Sequence, residues 1–534
     1  MMHNKHLLLV VVVASWLVPL AGCGGLGTRS CPNGKCGTAC SGDAFVSDGG
    51  CVAFTVCPAG WYVAQAGTVG ADQVCAPCPS GSFGTVVNST SCTPLPHVLV
   101  LLTDDQRFNT VHALGNSLIQ TPNMDRLARA GTSFSQASCQ GGLSGALCVT
   151  SRAALMTGRT INHLDGADTI PATHTTLPEF LRQAGYFTFA TGKWHNDRAS
   201  HVRIFDYADN IFFGGMHYPW DGGHEHPLLY HFDPTGEYPS EAQFQGDQFS
   251  SVMYADAAIA FIKTLPAQGR PSLMYVAFTA PHDPRTPPAP FDAMYDPSQT
   301  PLPDNFLPEH PFDNGELHNR DEDLLPIPRD PDQIRKEIAA YYGMISEVDS
   351  QIGRILDTLE EQKLLDHTVI IFAGDNGLAL GAHGLLGKQN LYEESLRVPM
   401  IIAGPGIAAN VVSDRLVYLH DLLPTVAALI GQSPPATSEG NVLLGDSAAH
   451  SRENSYHQYL DLHRGIRTAD HWKLIGYRLT VTGAQFDRMQ LFNLDADPSE
   501  MNDLSTQDAY QSKLSAMQSL LASQRALYDD PLVR

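Results

Sequence analysis

The stretch Val98-Leu99-Val100-Leu101-Leu102-Thr103-Asp104-Asp105 joins an apolar run of strand length directly to polar, titratable residues. From His97 onward, such runs alternate with longer amphipathic stretches, which is the pattern of strand-helix-strand units. The sequence therefore predicts an α/β fold over residues 97–450, in which a mostly parallel sheet lies between layers of helices.

Three more runs of strand length end in polar clusters. They are residues 187–190 before Gly192-Lys193-Trp194-His195, residues 273–278 before Pro281-His282-Asp283, and residues 369–372 before Gly374-Asp375-Asn376-Gly377. One such cluster is usually a helix cap or a turn. Because open α/β sheets bind ligands outside the carboxyl ends of their strands, four clusters together predict one shared site at that edge.

The residue types in these clusters indicate which chemistry the site supports. Asp104, Asp105, Asp375 and Asn376 offer only oxygen ligands, which suits a hard cation, with Ca²⁺ as first choice and Mg²⁺ as second. Cationic and hydrogen-bond-donating residues accompany them, namely Arg152, Lys193, His195, His282 and Lys388. A metal ion with such cations neutralises a tetrahedral oxyanion during transfer, so sulfate and phosphate esters both fit.

A candidate nucleophile lies in the segment Cys148-Val149-Thr150-Ser151-Arg152, at the start of a short helix that Gly158 is predicted to end. A cysteine at a helix N-terminus experiences the positive end of the helix dipole, and Arg152 lies one turn further along. A cysteine followed four residues later by an arginine usually has only a structural role. Its meaning therefore depends on the motifs around it.

The composition excludes several classes of protein. The chain has 534 residues, of which 43% are hydrophobic and 17% charged, so it is neither disordered nor fibrous. Its net charge of -23 disfavours nucleic acid as a partner, because such a field repels the phosphate backbone. An anionic substrate would need a locally cationic pocket.

The N-terminus is typical of an exported bacterial lipoprotein. Residues 1–22 read as a signal peptide, because Lys5 precedes an apolar run that is too short to span a bilayer. Leu20-Ala21-Gly22-Cys23 resembles a lipobox, in which Cys23 carries the acyl chains after cleavage. We therefore expect an extracytoplasmic protein, anchored to the membrane of the cell envelope through Cys23; simple secretion is the alternative.

Eight of the eleven cysteines fall between residues 31 and 92. This density, with Gly and Pro between, predicts a disulfide-rich module over residues 24–92 in an oxidising compartment. A zinc site at Cys75-Ala-Pro-Cys78 is the alternative, although no second CxxC or His pair accompanies it. Residues 93–96, Thr-Pro-Leu-Pro, form the predicted linker to the large domain.

The last part of the chain has a different pattern. Residues 456–494 read as short alternating strands and residues 505–527 as an amphipathic helix, which predicts a small α+β subdomain over residues 451–534 with an antiparallel sheet. The Pro-rich, acidic residues 297–332 show no periodicity. They either wall a substrate cleft or cross the surface.

Taken in order, these motifs resemble the sulfatase family, within the alkaline-phosphatase-like superfamily. The matching pieces between residues 97 and 504 are Thr103-Asp-Asp-Gln-Arg107, Thr121-Pro-Asn-Met-Asp-Arg-Leu-Ala128, Cys148 to Arg159, Gly192-Lys-Trp-His195, Pro281-His-Asp-Pro284, Gly374-Asp-Asn-Gly377, Gly387-Lys-Gln-Asn390 and Leu494-Asp-Ala-Asp-Pro-Ser-Glu500. The resemblance implies an alkaline-phosphatase-like fold and hydrolysis of sulfate esters, on a sulfated carbohydrate or an aryl sulfate.

The resemblance also implies a role for each site residue. Cys148 is expected to be oxidised by a formylglycine-generating maturation enzyme, and its hydrate, held by the metal and Arg152, to supply the nucleophile. The metal ligands would be Asp104, Asp105, Asp375, Asn376 and the modified Cys148. Lys193 and Lys388 would hold the sulfate, His282 with Lys388 would protonate the leaving alcohol, and His195 would help to remove a proton from the second hydroxyl.

One residue departs from the family pattern. Thr150 stands where the family usually has Pro, and sometimes Ala, two residues after the cysteine; losing Pro weakens the pre-set extended conformation. A disulfide between Cys148 and Cys139 would also prevent maturation. Two alternatives stay open. One is a phosphonate or phosphodiester hydrolase of the same superfamily, because such relatives share the metal ligands and the nucleophile; the other is a catalytically weak surface-binding lipoprotein, in which Thr150 has cost the large domain its turnover.

Overall fold

The computed structural model describes residues 44–47, 50–57, 61–68, 71–78, 82–83, 88–166, 168–445, 452–480 and 485–533. The predicted signal peptide and lipidation site, residues 1–23, lie outside these ranges, as do Cys31, Cys36 and Cys40. Within the described ranges, no helix is both long and apolar enough to cross a bilayer. The chain divides into two compact units, one of Met1–Thr55 with Ala64–Val74 and one of Val56–Val63 with Cys75–Arg534.

The described residues of the cysteine-rich segment form short strands and two disulfides. The strands are β1 (Ala44–Ser47), β2 (Gly50–Ala53), β3 (Trp61–Gln65), β4 (Val74–Pro77), β5 (Ser82–Phe83) and β6 (Thr93–Pro94). Cys57 is bonded to Cys75, and Cys78 to Cys92. Both cysteines of the CxxC motif are therefore oxidised, which agrees with a disulfide module and not with the zinc alternative.

The remaining strands belong to the large unit. They are β7 (His97–Thr103), β8 (Gly131–Ser138), β9 (Gly141–Gly142), β10 (Phe187–Lys193), β11 (Tyr207–Phe212), β12 (Leu228–Leu229), β13 (Phe244–Gln245), β14 (Ser272–Ala277), β15 (Thr368–Gly374), β16 (Met400–Ala403), β17 (Val411–Tyr418), β18 (Asn454–Tyr459), β19 (His463–Thr468), β20 (Trp472–Tyr477) and β21 (Arg488–Asn493). The helices are α1 (Pro122–Ala130), α2 (Leu147–Thr157), α3 (Leu177–Gln183), α4 (Arg198–Ile204), α5 (Ser250–Ile262), α6 (Leu265–Gln268), α7 (Pro331–Glu361), α8 (Glu393–Leu396), α9 (Leu422–Leu429) and α10 (Gln511–Leu527).

An eight-stranded sheet forms the centre, in the order β11-β10-β14-β7-β15-β16-β8-β17. Its neighbouring strands run parallel, except that β16 is antiparallel to both β15 and β8. The predicted mostly parallel α/β sheet is confirmed. In the register of β7 and β15, Thr103 faces Gly374, so the residues that follow these two strands leave the sheet side by side.

Both faces of this sheet are covered by helices. Val98, Val100 and Leu102 of β7 belong to the core that contains side chains of α2, α3 and α9. Leu99 and Leu101 point to the opposite core, which includes side chains of α1, α5 and α7. Because successive side chains of a strand alternate between faces, two covered faces require an apolar residue at every position.

The C-terminal sheet is antiparallel through β18, β19, β20 and β21, as predicted, and β9 adds a parallel edge strand from the large domain. Its core includes Leu521 of α10. That helix begins at Gln511 and not at Ser505. The Ser505 N–H is bound to the Asp503 carboxylate and its hydroxyl to the Met489 carbonyl, which fixes this residue outside the helix.

Candidate active site

The ends of neighbouring strands bring two acidic segments into contact. Asp104 and Asp105 follow β7, and Asp375 and Asn376 follow β15; all four are buried. The Asp105 N–H donates to Asp375 Oδ1 at 3.0 Å, and Asn376 Nδ2 donates to Asp105 Oδ1 at 2.7 Å. Asp105 has a φ of +62°, a strained conformation of the kind found at functional sites.

Cys148 is the second residue of α2 and is 1% exposed. Its Sγ lies 3.2 Å from His195 Nδ1, 3.7 Å from Lys193 Nζ and 4.0 Å from Lys388 Nζ. Burial raises the pKa of this thiol to about 11, so the unmodified side chain is a neutral thiol near pH 7. Since the thiolate is the nucleophilic form of cysteine, an unmodified Cys148 is poorly suited to attack.

Arg152 lies one turn further along α2 and is fully buried. Its Nε donates to Asp375 Oδ2 at 2.9 Å, and its Nη1 donates to the Lys193 carbonyl at 2.9 Å. Gly158 ends this helix with a φ of +66°, as predicted. The helix therefore directs both Cys148 and Arg152 to the edge of the sheet where the carboxylates lie.

Two lysines pair with the carboxylates that follow β7. Lys193 Nζ donates to Asp104 Oδ2, and Lys388 Nζ donates to both Asp105 oxygens, at 2.7 and 2.9 Å. Burial alone would lower the pKa of Lys388, but the Asp105 carboxylate raises it well above its ordinary value. Both lysines also reach Cys148, so they are placed to neutralise an anion bound there.

The two predicted histidines differ in their surroundings. Burial and the neighbouring Lys193 hold the pKa of His195 well below its usual value, so this ring is neutral near pH 7. His282 Nε2 lies 3.5 Å from Asp105 Oδ2 and its Nδ1 lies 3.2 Å from Asp283 Oδ1. Although burial opposes it, these carboxylates raise the pKa of His282 above its usual value.

The acidic residues fit a cation. Asp104 Oδ1 and Asn376 Oδ1 are buried and have no hydrogen-bond partner within the protein. Ligand atoms of Asp104, Cys148 and Asp375 lie within 4.8 Å of one another, as do those of Asp104, Asp105 and His282. Buried acceptors without donors are costly, and oxygen acceptors held this closely suit a hard cation.

A pocket of about 410 Å³ opens above Cys148. Besides Cys148, His195, His282 and Lys388, its lining includes Asn319, Arg320 and Asp321 from residues 297–332. Arg320 Nη1 donates to Asp283 Oδ1 at 2.8 Å and to Asp321 Oδ1 at 2.9 Å. The Pro-rich stretch is expected either to wall a substrate cleft or to cross the surface. Because three of its residues line this pocket, the structure supports the first alternative.

The pocket also contains residues that the motifs do not reveal. Met216 and Tyr218, from the connection between β11 and β12, line it together with Gln389. Gln389 belongs to the Gly387-Lys-Gln-Asn390 motif, but residues 213–227 have no periodicity or spacing that marks them as part of a site.

Comparison with known proteins agrees with this geometry. The family model described as Sulfatase matches residues 96–432, and one described as N-sulphoglucosamine sulphohydrolase, C-terminal, matches residues 381–526. The protein named N-acetylglucosamine-6-O-sulfatase from Bacteroides thetaiotaomicron is 28% identical over 517 residues, covering 82% of this chain and 88% of that protein.

Two solved structures have a similar fold. One protein, solved in complex with its substrate D-glucosamine-2-N,6-O-disulfate, is 25% identical with a TM-score of 0.66, covering 82% of this chain and 98% of that one. The phosphonate monoester hydrolase of Agrobacterium radiobacter is 21% identical with a TM-score of 0.64, covering 81% and 96%, which is a likeness of fold alone. Since the sulfatase model spans more than half of its residues, the chain belongs to the sulfatase family of enzymes.

Proposed function

We propose that this protein hydrolyses sulfate esters, using a formylglycine formed from Cys148 and one bound calcium ion. The observation that carries the proposal is the position of Cys148 Sγ, which lies within 4.0 Å of two lysine ammonium groups and beside a buried carboxylate cluster. A group attached at this sulfur position would lie near the lysine ammonium groups, which suit a sulfate, and near the carboxylate oxygens, which suit a metal ion. Membership of the sulfatase family supports the same chemistry.

The proposed metal ligands are Asp104, Asp105, Asp375, Asn376 and the modified Cys148, with Mg²⁺ as the second choice after Ca²⁺. A bound divalent cation would stabilise negative charge on the sulfate oxygens and on the attacking oxygen. The orphaned oxygens of Asp104 and Asn376 support this assignment, because an ion would supply their missing partner. Arg152, which donates to Asp375 Oδ2, would balance part of the charge of that ligand.

Other residues would bind the substrate and move protons. The hydrated formylglycine supplies an alcohol nucleophile. Lys193 and Lys388 hold sulfate oxygens by charge-assisted hydrogen bonds. His282, with Lys388, donates a proton to the leaving alcohol, for which its raised pKa is suited. The neutral ring of His195, 3.2 Å from Cys148 Sγ, accepts a proton from the second hydroxyl of the hydrate.

The proposed substrates are sulfated carbohydrates, with aryl sulfates as small substitutes. One relative is named for a 6-O-sulfated N-acetylglucosamine, and one similar structure contains a 6-O-sulfated glucosamine. These sugars are therefore the first natural compounds to test. We also propose that the protein acts outside the cytoplasm, anchored to the envelope through a lipid on Cys23.

The test is sulfate release from an aryl sulfate and from 6-O-sulfated glucosamine, before and after treatment with a chelator. We expect release that the chelator stops and that added Ca²⁺ restores. A matched aryl phosphodiester distinguishes the alternative hydrolase, because sulfate and diester differ in the reacting centre but share the leaving group. Faster cleavage of the diester would refute the proposal, and no cleavage of any ester would favour the binding protein.

Thr150 provides a prediction about maturation. Its buried hydroxyl accepts a hydrogen bond from the Leu143 N–H at 3.1 Å. We expect Thr150→Pro to raise the fraction of Cys148 converted to formylglycine, because proline pre-sets an extended conformation in the unfolded chain. The loss of the hydroxyl should lower the free energy of unfolding by about 1 kcal/mol, since the half-buried Leu143 N–H loses its partner.

The readout is the aldehyde fraction at Cys148 by mass spectrometry, together with a denaturant titration. Thr150→Ala is the matched control, because it removes the same hydroxyl but does not restrict φ. An aldehyde fraction that is equal in the wild type and in Thr150→Pro would show that Thr150 does not limit maturation.

A further inference from the structure

A pair of stacked aromatic side chains lies beside the candidate active site. The rings of Tyr218 and Trp220 have centroids 4.5 Å apart and an interplanar angle of 18°. Trp220 is 77% exposed, and Tyr218, at 41%, also lines the pocket that contains Cys148. Large aromatic faces gain free energy when they are covered, so an exposed pair next to a reaction site indicates a surface that a ligand covers.

A second cavity of about 430 Å³ adjoins the active-site pocket, and Met216 and Tyr218 line both. This volume falls within the usual range for ligand sites, about 300–1,000 Å³. Its lining combines aromatic rings with planar polar side chains: Asn196, Asp197, Arg198, Phe212, Phe213 and Gln243. The two cavities are therefore neighbours, and Tyr218 borders both.

The connection that carries the aromatic pair is held in place by the active site itself. Lys193 Nζ, which contacts Cys148, donates to the Gly215 carbonyl. The buried His217 ring is bonded to the Tyr254 hydroxyl at 3.0 Å.

The turn that follows fixes the two rings. The N–H groups of Asp221 and Gly223 each donate to the Tyr218 carbonyl at 3.0 Å, and Pro219 restricts the backbone between the rings. A preorganised surface of this kind loses little conformational entropy when a ligand binds.

The chemistry of the second cavity suits a sugar ring. A pyranose has an apolar C–H face, which packs on the electron-rich face of an aromatic ring, and an edge of hydroxyl groups. The exposed Gln243 offers an amide donor and acceptor for those hydroxyls, and the Asp197 carboxylate, which accepts from the N–H groups of Ile170 and Ser200, has further lone pairs. A purely apolar aglycone would bury the Gln243 amide and the Asp197 carboxylate without offering them a hydrogen-bond partner, which costs free energy.

We propose that this cavity binds the sugar residue next to the sulfated one, with Tyr218 as its stacking ring and Trp220 as the ring that supports Tyr218. The protein would then act on sulfated oligosaccharides in preference to single sugars. This inference rests on the proposed hydrolysis of carbohydrate sulfates, and it adds a second binding position and the residues that form it.

The test measures binding by calorimetry, using the full chain with Cys148→Ala so that the ligand is not turned over. The probes are 6-O-sulfated N-acetylglucosamine and N-acetylgalactosamine, each as the monosaccharide and as a tetrasaccharide from heparan sulfate or chondroitin sulfate. We expect a tetrasaccharide of at least one series to bind about tenfold more tightly than its monosaccharide, which is the size of one aromatic stacking contact.

Three further substitutions, each made in the Cys148→Ala protein, show which residues produce the tighter binding of the tetrasaccharide. Trp220→Ala should remove most of the tenfold gain, because the Tyr218 ring then loses the ring on which it stacks. Trp220→Phe should keep most of the gain, because an aromatic ring remains at that position. Tyr207→Ala is the matched control, because Tyr207 is 44% exposed but begins β11, at the opposite end of that strand from the connection that carries Trp220. It should retain the gain.

Three results would overturn the inference: equal affinity for monosaccharide and tetrasaccharide, a gain that survives in Trp220→Ala, or no binding of any oligosaccharide. Sulfate release by the wild-type protein is measured separately. A Trp220-dependent gain without sulfate release would support the sugar position and refute the proposed hydrolysis. Sulfate release together with equal affinities for the monosaccharide and the tetrasaccharide would support the proposed hydrolysis and refute the sugar position.

Discussion

Replacing Cys148 by alanine is expected to abolish sulfate ester hydrolysis, with kcat lowered by about 10⁴-fold or more, because the variant lacks the residue from which the nucleophile is formed. The variant should still fold, since alanine fills most of the space of the buried thiol and leaves the backbone of α2 unchanged. Sulfate release from an aryl sulfate measures the loss, and thermal unfolding checks the fold.

Cys139→Ala is the matched control. Cys139 is also buried and free, and burial raises the pKa of its thiol to about 12, but it contributes no side chain to the pocket around Cys148. This variant should keep its activity and lose about 1 kcal/mol of stability through the small cavity. Wild-type turnover by Cys148→Ala, or equal losses in both variants, would contradict the assigned nucleophile.

The second large effect is expected at Asp375. Asp375→Asn should lower both the content of bound calcium and the turnover, the latter by about 10³-fold, because an amide oxygen is a weaker ligand and the salt bridge from Arg152 is lost. Calcium per protein chain is measured by elemental analysis of the purified protein. Turnover is measured with calcium in excess.

Asp349→Asn serves as the control for a buried carboxylate. Asp349 is 1% exposed and accepts hydrogen bonds from the N–H groups of Asn123 and Met124, bonds that an amide oxygen can also accept. We expect full calcium content and activity in this variant. Full calcium content in Asp375→Asn would show that the metal is bound elsewhere or not at all.

The sequence predicts the positions of site residues well where those residues directly follow strands of the central sheet. Asp104, Asp105, Asp375 and Asn376 follow adjacent parallel strands, so their convergence follows from the topology, and the register of Thr103 with Gly374 brings them into contact. The predicted end of α2 is also confirmed, because Gly158 ends this helix in a backbone conformation that favours glycine.

Contacts between distant segments are less predictable. The sequence could not show that Arg152 pairs with Asp375, because that depends on how α2 packs against the sheet. It also could not choose between a cleft wall and a surface path for the segment that contains Arg320. Tyr218 and Trp220 lie in a connection without periodicity, and their position beside the pocket depends on a long-range contact, the hydrogen bond from Lys193 to the Gly215 carbonyl.

The most direct test of the account is the mass of one tryptic peptide. The protein is expressed in a bacterial host that contains a formylglycine-generating enzyme, exported and digested, and the peptide of residues 130–152 is analysed; it contains both Cys139 and Cys148. We predict the mass of a peptide with an aldehyde at Cys148 and a thiol at Cys139. An intact thiol at Cys148, or a disulfide between the two cysteines, would contradict the central claim that Cys148 is the source of the nucleophile.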